Sequence, residues 1–301
     1  MSTDAARALL VSLIDYAGLF PPVELPMRAA VAGYASSRSG TQAWMLGRFV
    51  LPLARLEEFE RAFDDLPASR RAKPWPLSVI AGRTLEVDAA KIVDFNERHG
   101  DEGRQDARIE AIDLKVQRLD DIAHGAGILA EPAEQYFEMA IESDPSAYLA
   151  AVAEVGGCAK VRTGGVTGDL VPSVHDLGRF LEACAAEGVA FKATAGLHHA
   201  VRSAHRATAD ERSPTVMMHG FLNLFLAAVL ACRRDARADD LEPVLGEESP
   251  DAFVFDGAGV RVKGLRLTSE EIASTRQSSA LSFGSCSFDD PISELKALGI
   301  I

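Results

Sequence analysis

Short apolar runs alternate with longer amphipathic ones along this chain, a rhythm that predicts parallel strands covered by helices. Eight strands are expected, at 12–20, 43–51, 76–81, 109–116, 135–141, 158–163, 190–195 and 280–288. Helical periodicity covers 27–36, 53–63, 86–99, 120–126, 145–154, 174–187 and 219–233, with Pro145 and Pro172 near helix starts, where a missing N–H does little harm. From 202 to 275 the rhythm breaks. That stretch holds a nearly all-apolar helix at 221–231, an acidic segment at 239–248, and a hairpin pairing 252–255 with 260–267 across Asp256-Gly257-Ala258-Gly259. The expectation is an α/β fold, one (β/α)8 TIM barrel over residues 1–301, with 202–275 inserted between its seventh and eighth strands.

Side chains alternate across a strand, so the purely apolar set should face the helices and the other set the barrel interior. In 109–116, Ile112, Leu114 and Val116 are apolar, which turns Asp113 and Lys115 inward. By the same parity Phe137, Met139 and Ile141 leave Glu138 inside, Ala159 and Val161 leave Lys160 and Arg162, and Phe191 and Ala193 leave Lys192 and Thr194. Met45, Phe49 and Leu51 likewise turn Arg48 inward. Arg48 and Lys115 are the candidates for the barrel rim. So many charges in one interior are costly, and a proton-transferring or substrate-binding cavity accounts for them better than a buried ion plug does.

Composition narrows the partners. The 301 residues are 48% hydrophobic and 25% charged, with a formal charge of −13, a pI near 5.0 and mean hydropathy of +0.04. An acidic chain lacks the basic face that nucleic acid or an anionic membrane requires, which favours a small-molecule partner. Cys158, Cys184, Cys232 and Cys286 are widely spaced with no C-x-x-C pair, and no basic segment precedes the apolar stretch near the N-terminus; both features point to reduced thiols and a cytoplasmic location. The 221–231 helix suits a core or a homo-oligomer contact. Neither a phosphate-binding P-loop nor a dinucleotide fingerprint occurs, and no cofactor is implied.

Two inward lysines on neighbouring strands suggest amine chemistry. A lysine amine attacks a carbonyl only when unprotonated, and burial beside a second cation lowers its pKa. On this reading Lys160 forms a Schiff base, Lys192 depresses its pKa, and Asp113, assisted by Glu138, moves protons. Arg162 clamps a carboxylate or phosphate, while Gly164, Gly165 and Gly196 let backbone N–H groups approach an anionic substrate. Asp15, beside Tyr16 and ahead of Gly18-Leu-Phe-Pro-Pro, lines the mouth together with Arg48.

Several motifs resemble those of class I deoxyribose-phosphate aldolase, a TIM barrel that cleaves a deoxysugar phosphate through a lysine Schiff base. Lys160-Val-Arg-Thr-Gly164 resembles the family's K-x-S-T-G strand and Lys192-Ala-Thr-Ala-Gly196 its K-A-S-G-G strand. Ile112-Asp113-Leu114 is similar to its V-D-V segment, and Leu13-Ile-Asp15-Tyr-Ala-Gly-Leu19 to its opening I-D-H-T-x-L. Phe283-Gly284-Ser285-Cys286-Ser287 resembles the last-strand F-G-x-S-S, which implies a phosphate-holding role for Gly284 and Ser285. Arg162 stands where the family has serine, and His198-His199 where it has a different turn. The resemblance therefore implies a remote relative, a lyase acting on a small anionic oxo-compound or sugar phosphate.

Two other classes remain. His198, His199 and His219, with Glu138 or Asp15, could supply a metal site, and a metal-dependent lyase or hydrolase would use His198 or His199 with Glu138; His198 and His199 otherwise contact substrate. Alternatively, the barrel only binds an anion. Cys286 is a candidate nucleophile or an incidental thiol, and His99, His124, His175 and His205 read as surface residues.

Overall fold

The computed structural model describes all residues except 1–2, 101–102, 130–132, 142–143, 166, 207–212 and 234–235. Eight parallel strands close into a barrel in the spatial order β1-β13-β7-β6-β5-β4-β3-β2. They are β1 (Ile14–Tyr16), β2 (Leu46–Pro52), β3 (Trp75–Ile80), β4 (Ala107–Lys115), β5 (Glu134–Met139), β6 (Cys158–Arg162), β7 (Phe191–Thr194) and β13 (Ala280–Ser285). The intervening β8 (Ser203–Arg206) and β9 (Thr215–Met218) form an antiparallel pair. A three-stranded antiparallel sheet holds β10 (Val254–Asp256), β11 (Gly259–Val262) and β12 (Leu265–Thr268).

The helices are α1 (Asp4–Leu10), α2 (Met27–Ser37), α3 (Leu56–Asp64), the short α4 (Ala68–Arg71), α5 (Leu85–His99), α6 (Asp120–Ile128), α7 (Ser146–Glu154), α8 (Val174–Glu187), α9 (Phe221–Ala231), α10 (Ala238–Leu245), α11 (Ser269–Ser278) and α12 (Asp289–Ala297). This is the expected TIM barrel. None of the described helices is long and apolar enough to cross a membrane.

Strand parity is as the apolar pattern implies. Ile112, Phe137, Ala159, Val161, Phe191 and Ala193 are buried in the layer between sheet and helices, while Asp113, Glu138, Lys160 and Lys192 meet inside the barrel. The seam between first and last strands is tied by Arg276, whose guanidinium donates to the carbonyls of Leu9 at 2.8 Å and Val11 at 3.0 Å, and to those of Ala280 and Leu281. Burial pulls its pKa down to about 10, and four carbonyl acceptors offset the cost of enclosing it.

Two expectations need correction, and the packing of α9 adds detail to a third. The 12–20 run forms a strand only at Ile14–Tyr16, and Ala17, Phe20, Pro21 and Pro22 instead wall the cavity at the strands' carboxyl ends. The 260–267 run is two strands rather than one, because Lys263 and Gly264 both take positive φ and turn the chain sharply between them. Within 202–275, parts of which (207–212 and 234–235) lie outside the described residues, helix α9 belongs to the barrel's own helical layer. Phe221 stacks on Phe283 at 5.2 Å and Phe225 on Phe191 at 6.3 Å, while α10 and β12 pack on it from other sides. A helix covered all round must be apolar all round, and all 11 of its residues are buried. Its one polar side chain, Asn223, donates to the carbonyls of Val244 and Glu247 at 2.8 Å each.

Candidate active site

A cavity of about 720 Å³ opens at the carboxyl ends of the barrel strands, within the range of about 300–1,000 Å³ usual for small-molecule sites. The strand register brings its charges together: Glu138 pairs with Lys160, Lys160 with Lys192, and Lys192 with Ser282. Asp113 lies between the amines. One carboxylate oxygen is 3.0 Å from Lys160 Nζ and the other 2.5 Å from Lys192 Nζ. Lys160 also meets Glu138 at 2.7 Å, and Glu138 in turn accepts from Arg162 at 3.0 Å.

Lys192 sits among groups that parity in its own strand could not reveal. Its Nζ donates to Ser78 Oγ at 2.9 Å and lies 4.2 Å from the centre of the Tyr136 ring. Asp15 is held by Ser282, whose hydroxyl donates at 2.8 Å, and by the backbone N–H of Arg48 at 2.8 Å. Gly47 makes that second bond feasible, since a Cβ there would lie 2.3 Å from the Asp15 carboxylate.

The electrostatics differ between the two amines. Burial works against the charge on both. At Lys160 the carboxylates of Asp113 and Glu138 outweigh burial and hold its pKa above the ordinary lysine range. At Lys192 burial wins over Asp113 and Asp15, and the pKa falls. Burial also opposes ionisation of the two acids, yet Lys160 and Lys192 keep Asp113 low, and Lys160 and Arg162 keep Glu138 low. The expectation that Lys192 simply depresses Lys160 is therefore overturned, because two nearby carboxylates exceed one nearby cation.

Of the residues singled out from sequence, Asp15, Asp113, Glu138, Lys160, Arg162, Gly165, Lys192, Gly196, His198, His199 and Gly284 line this cavity, as does Lys115 at its rim. Arg48, Gly164 and Ser285 do not. Arg48 does point inward, but toward the amino ends of the strands, where Glu110, Glu134 and the Tyr136 hydroxyl hold it at 2.9–3.3 Å. Gly164 serves a close crossing: Gly196 has φ +78°, and a Cβ added to it would stand 2.7 Å from the Gly164 Cα. Ser285 is buried and donates to the Ser287 carbonyl at 2.6 Å.

Comparison of the chain with protein-family models, with curated proteins and with solved structures returned no match. The residues therefore carry the functional reading.

The histidines are divided. His198 lines the cavity with its Nδ1 3.8 Å from Cys286 Sγ; burial raises the thiol pKa and lowers the imidazole's, so both groups favour their neutral forms. His199 is bound to Glu294 at 2.6 Å and stacks on His205, ring centres 3.4 Å apart. His205 thus lines the cavity rather than the surface, and His99 is buried between Glu60 and Asp106. A metal held by His198 or His199 with Glu138 finds no such cluster: among the described residues, the group close enough to share an ion is His175, Asp239 and Glu242, outside this cavity. Glu138 is already engaged by two cations.

Proposed function

We propose that the protein is an amine-dependent lyase of the aldolase type, acting on a small anionic oxo-compound. One observation supports this reading above the others: a single carboxylate, Asp113, contacts two lysine nitrogens on the floor of an open cavity. A structural plug would leave no void beside such expensive charges.

In this reading Lys160 must first lose its proton, an uphill step because Asp113 and Glu138 hold its pKa up, and Asp113 passes that proton toward the cavity while Lys192, which shares Asp113, weakens that carboxylate's hold on Lys160. The freed Lys160 amine attacks the substrate carbonyl, and loss of water from the carbinolamine leaves an iminium. The iminium draws the electron pair of the neighbouring C–C bond as that bond breaks, while Glu138 or Asp113 takes the proton from the departing hydroxyl. Reprotonation of the enamine carbon and addition of water release the second product. Arg162, bonded to Glu138 and lining the cavity, binds the substrate's carboxylate or phosphate.

Borohydride reduction in the presence of short-chain oxo-acids and sugar phosphates tests the proposal. A mass adduct mapped to Lys160 is the expected result; absence of any adduct across that panel, with the protein folded, overturns it.

A further inference from the structure

Among the described residues eight large apolar side chains stand exposed, and two of them, Val23 at 43% and Leu170 at 39%, line the candidate active site. Single exposed apolar residues are ordinary, but these two share the cavity with Phe20, Pro21, Pro22 and Met218, and together they form an apolar patch facing a void. Both are held in place. The loop that carries Val23 is tied by the Ala17 N–H, which donates to the Ser285 carbonyl at 2.7 Å, and by the Leu25 N–H, which donates to the Gly18 carbonyl at 2.8 Å. Leu170 lies over Gly165, where an added Cβ would collide with it.

The patch occupies one side of the mouth. Phe20 to Val23 follow β1, Leu170 follows β6, and Met218 ends β9 in the pair that follows β7; with β13 these strands are successive staves, β1-β13-β7-β6. On the same side His198, His205 and Cys286 favour their neutral forms because burial opposes their charges, and Arg206 and Asp290 carry charges of opposite sign. Lys115 ends β4, across the barrel.

The charged end of a ligand belongs deeper in the cavity. Arg162 follows Lys160 by two residues on β6, roughly 6–7 Å along the strand. Both bond Glu138, Lys160 at 2.7 Å through one oxygen and Arg162 at 3.0 Å through the other. A carbonyl carbon bonded to Lys160 therefore brings a carboxylate on the adjacent carbon toward Arg162. Glu138 beside the guanidinium suits a monoanion better than a dianion, and Ser285, expected to hold phosphate, is 1% exposed and spends its hydroxyl on the Ser287 carbonyl. We infer that the ligand is an α-oxo acid with a branched aliphatic or aromatic group on its γ carbon, the acid end on Arg162 and the apolar end against Val23 and Leu170. Turnover of such a ligand rests on the lyase reading. The substrate is then the γ-hydroxy acid: the bond between its β and γ carbons breaks, the electron pair passes to the iminium, and the γ-hydroxyl proton goes to Glu138 or Asp113. The γ carbon leaves as an apolar aldehyde, and the enamine takes a proton at the β carbon.

Calorimetric titration of the full chain, without reductant, compares benzylpyruvate with pyruvate, with benzylacetone, which has the ring and the carbonyl but no carboxylate, and with deoxyribose phosphate. Benzylpyruvate is expected to bind at least about tenfold more tightly than each of the others, equivalent to about 1.4 kcal/mol. Val23→Ser with Leu170→Ser, both at exposed positions, should shrink the gap over pyruvate to about threefold or less. No binding of benzylpyruvate, equal affinity for pyruvate, equal affinity for benzylacetone, tighter binding of the sugar phosphate, or an unchanged gap in the folded double variant would each overturn the ligand class. Borohydride separates this from the lyase reading. Binding as expected with no adduct on Lys160 supports the ligand class and overturns the amine chemistry, whereas an adduct formed equally well from pyruvate and benzylpyruvate does the reverse.

Discussion

At the amino end of the barrel interior, Arg48 is surrounded by Glu110, Glu134 and Tyr136; at the carboxyl end, Lys160 and Lys192 share Asp113 beside about 720 Å³ of open space. Both sets are inward cations paired with carboxylates. The difference is what lies next to them. Arg48 lies outside that space, and its carboxylates are partly exposed, so it closes the barrel's lower end. The lysines are almost wholly buried yet border the cavity. Charge in an interior is thus a poor sign of function by itself; charge beside a void is a better one.

Substitutions at the two ends should separate these roles. Lys160→Met carries the largest expected effect: it leaves Asp113 and Glu138 without their shared cation, costs about 3–5 kcal/mol in urea unfolding at neutral pH, and abolishes the borohydride adduct. If Lys160→Met keeps wild-type stability, the carboxyl end is not the tightly coupled network described. Arg48→Met should cost less, about 1–3 kcal/mol, because its partners reach solvent, and should leave the rate of adduct formation unchanged. A slowed adduct in that variant would erase the contrast.

Lys192→Met tests the shared carboxylate. Lys160 is held above its ordinary pKa by two carboxylates, and without Lys192 the whole charge of Asp113 acts on it, so its free base needs a higher pH still. The pH profile of trapping should therefore move upward by about one unit or more, some 1.4 kcal/mol; an unmoved profile would remove Lys192 from the chemistry. The smallest effect concerns acid stability. Asp113 and Glu138 have folded pKa values below their unfolded ones, so their contribution is complete above the unfolded carboxylate range near pH 4 and is lost as the pH falls through the depressed values. Glu138→Gln should flatten that decline, as read from unfolding free energy against pH.

Much of the site was legible in strand parity. Lys160, Lys192, Asp113 and Glu138 each stand opposite apolar neighbours in their own strand, and the helices around a barrel leave the charged set only one place to go. Ser78, Tyr136 and Ser282 were not legible as lysine and aspartate partners. They lie on other strands, and which residues meet depends on the stagger between strands, which no local pattern encodes. Arg48 shows the same limit. Parity assigns it a face but not a height along the barrel axis. From sequence His205 reads as a surface residue because its short strand lacks any strong alternation, and His99 does so because its burial depends on Glu60 and Asp106 arriving from elsewhere.

By itself, then, the sequence determined the barrel and the set of side chains turned into it, because alternation is a property of neighbouring residues; the close approach of β6 and β7 at Gly164 and Gly196 belongs to the fold. Tertiary structure alone decided which amine is the stronger base and where the cavity lies. Those outcomes depend on distances between groups far apart in the chain: Asp113 and Glu138 reach Lys160 only because three strands align, and coulombic energy follows that spacing rather than the order of residues.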